Sequence, residues 1–136
     1  MNLFVDTSIW SLAWRRDRPA SSAGLTLLED ALQAGAMVVT TGLVLQELLQ
    51  GFQGPKQRAR IIDAFSALPL IAPEREDHVA AADLRNQCRR KGVQIGTIDA
   101  LLAQLCIRHE LQLLTADADF ARIAAYAPLR LARIHA

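Results

Sequence analysis

Lysine is almost missing from this chain: of its fifteen cationic residues only Lys56 and Lys91 are lysine, and the rest are arginine. Arginine suits bidentate phosphate contact, although a GC-rich genome gives the same bias. No charge of one sign dominates either. The net charge is only +1, which excludes nucleic-acid binding through bulk charge alone. Cysteine is limited to Cys88 and Cys106, far apart and without CxxC spacing. That fits buried or idle thiols in a reducing cytosol; a disulfide between them is possible but unneeded at this size. Aromatic residues make up 5% of the chain. Trp10 and Trp14, at i and i+4, suit one buried helix face, with docking of a partner as the alternative.

The longest uncharged stretch, residues 31–46, carries two Gly, two Thr and two Gln. It is too short and too polar to span a bilayer, which takes roughly 20 apolar residues. Asp6 interrupts the N-terminal apolar run, so no signal peptide is expected and the protein reads as soluble and cytoplasmic. His78, His109 and His135 share no ligand-like spacing, which argues against zinc. GxGxxG, P-loop and GxSxG patterns are absent, so neither a nucleotide cofactor nor a serine hydrolase is indicated. There is no repeat and no linker, and 136 residues imply a single domain, 1–136.

What is present is an alternation of short apolar runs with helical patterns. Strands are expected at 2–6, 37–40, 70–71 (weak), 111–115 and 129–131. Helices are expected at 8–15, 21–34, 43–52, 55–68, 74–91, 98–109 (capped by Thr97) and 120–125. Continuous apolar strands separated by helices indicate an α/β fold, a parallel sheet covered on both faces. In such folds the active crevice lies outside the carboxyl ends of the strands.

Four acids interrupt apolar surroundings: Asp6, Glu47, Asp99 and Asp117. Carboxylates are rarely buried unless paired or bound to a cation, and hard oxygen ligands suit Mg²⁺ or Mn²⁺. Asp6 and Asp117 fall at strand ends, on the rim where chemistry is expected. At 100° per residue Glu47 projects between Leu43 and Val44, toward the core, and Gly51 leaves space beside it. Asp99 shares a face with Leu102, Ala103 and Cys106. Each acid also has an ordinary explanation. Asp6 and Asp117 could cap helices, Asp99 could favour a helix dipole, and Glu47 could be an exposed helical residue. Asp119 reads as a helix N-cap.

Val5-Asp6-Thr7-Ser8, Gln46-Glu47-Leu48, Thr97-Ile98-Asp99-Ala100 and Leu114-Thr115-Ala116-Asp117-Ala118-Asp119-Phe120 form an ordered set over the whole chain. The set resembles the spaced motifs of PIN-domain ribonucleases, and more narrowly the VapC-type toxins of bacterial type II toxin–antitoxin pairs. The resemblance implies a Rossmann-like three-layer sandwich with about five parallel strands, and a Mg²⁺- or Mn²⁺-dependent endoribonuclease. Asp6, Glu47, Asp99 and Asp117 match the acidic quartet, with Asp6, Asp99 and Asp117 as metal ligands. Thr7, Ser8 and Thr115 match supporting positions, and Asp119 adds a fifth acid. The expected partners are RNA, a VapB-like antitoxin and, from the leucine-rich faces of 21–34 and 43–52, a second copy in a homodimer.

Two arginine clusters stand out. Arg15, Arg16 and Arg18 follow the first helix and are candidates for RNA contact. Arg89, Arg90 and Lys91 end the long helix and could also grip RNA phosphates, but cations there favour the helix dipole, and that reading is preferred. Three other functions fit the residues less well. A receiver-like phospho-acceptor needs an acidic pair after the first strand and a late Lys, but no Lys follows Lys91. A haloacid-dehalogenase-type phosphatase wants a second Asp where Ser8 stands. A degenerate, purely binding PIN module is disfavoured by the intact acids.

Overall fold

A computed structural model describes residues 2–15 and 22–133. Four parallel strands form the sheet: β1 (Asn2–Val5), β2 (Met37–Val39), β3 (Gln112–Leu114) and β4 (Arg130–Leu131), in the order β2-β1-β3-β4. The register sets Phe4 against Val39 on one side and Leu113 on the other. Leu3, Phe4, Val5, Leu113 and Leu114 are fully buried, as expected of strands covered on both faces. The expected fifth strand at 70–71 is reduced to one parallel bridge, Thr40 with Leu70. Only two backbone bonds hold it, Thr40 N–H to Pro69 O and Ile71 N–H to Thr40 O.

Seven helices connect the strands among the described residues: α1 (Thr7–Trp14), α2 (Ala23–Gln33), α3 (Gly42–Gly51), α4 (Pro55–Ser66), α5 (Arg75–Arg90), α6 (Thr97–Arg108) and α7 (Asp119–Ala124). The chain steps from β1 outward to β2, then returns to place β3 on the other side of β1. Right-handed crossovers in opposite directions put helices on both faces of the sheet. They also open a crevice at the carboxyl ends of β1 and β3, the switch point where α/β folds bind ligands.

Trp10 is buried, its ring centroid 4.9 Å from that of Phe65 on α4, and Trp14 is half-buried, so the pair belongs to the core. Gln57 donates to Trp14 O and ties the start of α4 to the end of α1. Helices α5 and α6 form an antiparallel pair. Near the start of α5, fully buried Asp77 accepts two bonds from Arg108 at the end of α6, from Nε at 2.7 Å and Nη2 at 2.8 Å. Asp77 also accepts from the Glu74 N–H, half of a capping box that starts α5. The Arg108 guanidinium and these backbone and side-chain donors hold the Asp77 carboxyl below the usual range despite burial. Both cysteines are free and buried.

Candidate metal centre

Asp6 follows β1 and is also the N-cap of α1, so the strand-end and helix-cap readings both hold for it. Its N–H continues the β1–β3 ladder to Leu114 O at 3.2 Å. Its Oδ1 accepts from the Ser8 N–H at 3.1 Å and the Ser8 hydroxyl at 2.5 Å, and its Oδ2 from the Thr115 hydroxyl at 2.7 Å. Each hydroxyl also accepts a backbone N–H: Ser8 Oγ from Ala116 at 2.9 Å, and Thr115 Oγ1 from Asp117 at 2.9 Å. Ser8 and Thr115 therefore have their protons committed to Asp6, and they lock the β3–α7 turn against the start of α1. Burial raises the pKa of Asp6, and these donors offset part of that rise.

Asp99 lies in the first turn of α6, half-buried. The N-cap of this helix is Gly96, not Thr97, which is its first residue. Asp99, Asp117 and Asp119 each offer a carboxylate oxygen, and the three oxygens lie within 4.8 Å of one another. Asp119 is the first residue of α7 and not its N-cap; Ala118 holds that place. The turn before α7 is instead stabilised by Asp117, whose Oδ1 accepts the Asp119 N–H at 2.9 Å. That frees the Asp119 carboxylate to join the cluster, where it also lies 3.9 Å from Arg122. The sequence signal for this was the Asp-x-Asp pair in a short turn, which places both side chains on one side.

Glu47 does not point into the core. It is exposed, while Val44 and Leu48 take the buried positions of α3. The apolar face of α3 is wide enough that Glu47 falls on its border. There the Thr7 hydroxyl donates to its Oε1 at 3.1 Å. Its charge nevertheless reaches the site: the pKa of Asp99 is raised to about 6, by burial first and then by Asp117, Asp119, Asp6 and Glu47 in turn. The other four acids thus all disfavour the charged form of Asp99, while three of the five, Asp99, Asp117 and Asp119, come within reach of one ion. A self-repelling set of carboxylate oxygens is the donor chemistry of Mg²⁺ or Mn²⁺, and the residues fit such an ion.

Of the arginines expected to meet RNA, Arg15 is the C-cap of α1, about 13–14 Å along the axis from Asp6, while Arg16 and Arg18 lie outside the described residues, as does His135. His78 is exposed and His109 half-buried, and neither joins the acidic cluster.

A family model described as PIN domain matches residues 3–126. Among solved structures, the chain is similar to one in VapBC2 from Rickettsia felis bound to a promoter DNA fragment. That match has 24% identity and a TM-score of 0.76, covering 97% of this chain and 98% of that one. DNA-bound VapBC from Salmonella typhimurium matches at 18% identity and a TM-score of 0.74, covering 97% of each chain. Mycobacterium tuberculosis VapC20, a toxin that cleaves the sarcin–ricin loop, matches at 19% identity and a TM-score of 0.66, covering 92% of this chain and 95% of that one. At these identities the structural matches establish the fold.

Proposed function

The chain belongs to the PIN-domain family, and from that premise we propose that it is a metal-dependent endoribonuclease acting as the toxin of a toxin–antitoxin pair. The observation that carries the reading is the meeting of Asp99, Asp117 and Asp119, whose carboxylate oxygens lie within 4.8 Å of one another, with Asp6 and Glu47 adding their charge to the surroundings of Asp99. Asp99, Asp117 and Asp119 would hold Mg²⁺ or Mn²⁺, with Asp6 beside them as a further ligand, directly or through water. When bound, such an ion supplies hydroxide near neutral pH and neutralises charge on a scissile phosphate.

The chain's own residues supply the rest. Ser8 and Thr115 fix both oxygens of Asp6, so its carboxylate needs no reorganisation. Thr7 steadies Glu47 at the border of the site, where an exposed carboxylate can accept a proton from an attacking water. The buried ends of β1 and β3 give the cluster a rigid floor.

Several of the matched structures are toxin–antitoxin complexes. They support a VapB-like antitoxin as the partner of this chain, and a homodimer is part of the same proposal. No helix among the described residues is long and apolar enough to cross a membrane, which is consistent with a cytoplasmic nuclease.

The test is RNA cleavage by the purified protein with Mg²⁺ or Mn²⁺, alongside EDTA and the variants Asp6→Asn and Asp99→Asn. Both variants should retain their fold by circular dichroism and lose at least about a hundredfold in rate, since even outer-shell changes at metal sites cost 10–100-fold. Wild-type rates in both variants, or cleavage indifferent to EDTA, would remove the mechanism.

A further inference from the structure

The carboxylate centre repels the backbone of the RNA it is proposed to cut, so the strand needs cationic footing nearby. We infer that Arg85 and Arg89 form a phosphate-binding subsite that grips the RNA backbone beside the carboxylate centre. This inference rests on the nuclease reading.

Topology places the two arginines at the right end of the molecule. The strands run toward the carboxylate edge, and α6 starts at that edge with Asp99 and runs back to β3. Helix α5, antiparallel to α6, therefore runs toward the edge and ends there. The Arg85 Nε donates to Ile95 O at 2.9 Å, on the segment that enters α6. The next residue is Gly96, and the Asp99 Oδ2 lies 4.0 Å from the point a Gly96 Cβ would occupy. One backbone step thus separates the Arg85 anchor from the residue beside the carboxylate.

The site is built for an anion. Arg85, Arg89, Val93, Gln94 and Ile95 line a cavity of about 200 Å³. Arg85 is half-buried and fixed through Nε, so its remaining N–H groups form a preorganised fork that bonds no other group among the described residues. Arg89, one turn later, is exposed and has no ion pair there. Nor is Arg89 needed to satisfy the end of α5. Cys88 O already accepts from the Lys91 and Val93 N–H groups, and Arg89 O from the Gly92 N–H. The cavity offers no exposed aromatic anchor of the kind protein partners use. Two guanidinium groups flanking a small polar hollow match a backbone phosphate.

The experiment measures binding of a fluorescein-labelled single-stranded RNA in EDTA across a range of NaCl concentrations, with Mg²⁺-dependent cleavage assayed in parallel. Without a divalent ion the acids only repel, so the remaining attraction reports the cations. Arg89→Gln and Arg85→Lys should each weaken binding several-fold. Arg89→Gln should also flatten the slope of log K against log salt by about 0.7 for each phosphate it no longer neutralises. Because the Arg89 side chain makes no hydrogen bond or ion pair among the described residues, its variant tests the subsite with little effect on folding. Cleavage by the wild type together with equal EDTA binding and equal salt slopes in Arg89→Gln and wild type would overturn the subsite and leave the nuclease reading standing. Wild-type protein that neither binds nor cleaves RNA would overturn both.

Discussion

Asp99 is the acid of the site whose charge is disfavoured most, by burial first and then by the repulsion of the neighbouring acids. Its carboxyl titrates near 6 in the fold, against 3.8 for the ordinary group. The folded chain therefore holds this proton more tightly than the unfolded chain does. Without a divalent ion, stability must fall as pH rises from about 4 to about 6, and Asp6, displaced in the same direction, adds to the fall. A rise of this size corresponds to about 3 kcal/mol. Partial exposure of Asp99 reduces this to about 1–2 kcal/mol. In EDTA at pH 7, Asp99→Asn should be more stable than wild type by that amount, with the difference shrinking toward pH 4. Urea unfolding at the two pH values measures it; an Asn variant no more stable at pH 7 would show that neither burial nor the neighbouring acids disfavour the Asp99 carboxylate. The identities of these acids are legible in the sequence, because carboxylates amid apolar runs are costly. Which of them meet is less so. Asp119 reads as a cap, since an Asp before a short helix normally is one, and only the bond from its N–H to Asp117 shows that the roles are exchanged.

At the scale of elements, the pairing of α5 with α6 decides whether Asp99 reaches the site, because α6 carries it. The bidentate Asp77–Arg108 bridge locks that pair. Asp77 is fully buried, whereas the Arg108 side chain keeps 33% of its surface, so Arg108 can regain water if its partner is removed. Asp77→Ala should therefore cost about 2–3 kcal/mol, below the most severe cases of a broken buried pair. A chemical-denaturation midpoint unchanged by the substitution would contradict this. The Asp77 carboxyl is depressed, so the bridge contributes above pH 3.8 and is lost as pH falls through the folded value. Nothing in the sequence pairs Asp77 with Arg108: the polar pattern of 74–91 reveals the helix, but not which acid turns inward. The strands and helices themselves are legible, since their apolar runs and periodicities are local. The segment at 70–71 falls short because two apolar residues after a proline offer little for a ladder to extend. Glu47 lies away from its expected place for a related reason: on a helix apolar nearly all round, periodicity cannot locate the border of the buried face.

At the scale of the molecule, the acidic site draws together the ends of β1 and β3 and the starts of α1, α6 and α7, segments that separate on unfolding. Any ion held by those carboxylates must therefore bind the folded chain and be released by the unfolded one, so it stabilises the whole domain by mass action. At one hundred times its dissociation constant a ligand of this kind contributes about 2.7 kcal/mol. For a domain of this size that corresponds to a rise in melting temperature on the order of 10 °C. A thermal-shift titration with Mg²⁺ or Mn²⁺ at pH 7 should show a saturable rise in wild type. The double variant Asp99→Asn/Asp117→Asn should start from a higher metal-free melting temperature, relieved of its repulsion, and respond little to either ion. The two effects have opposite signs and one origin. Destabilisation in the absence of metal is the repulsion that metal binding removes, so a variant that cures the first must abolish the second. Equal metal-induced rises in wild type and double variant would mean that the ion binds elsewhere, and the converging carboxylates would have to be explained without it.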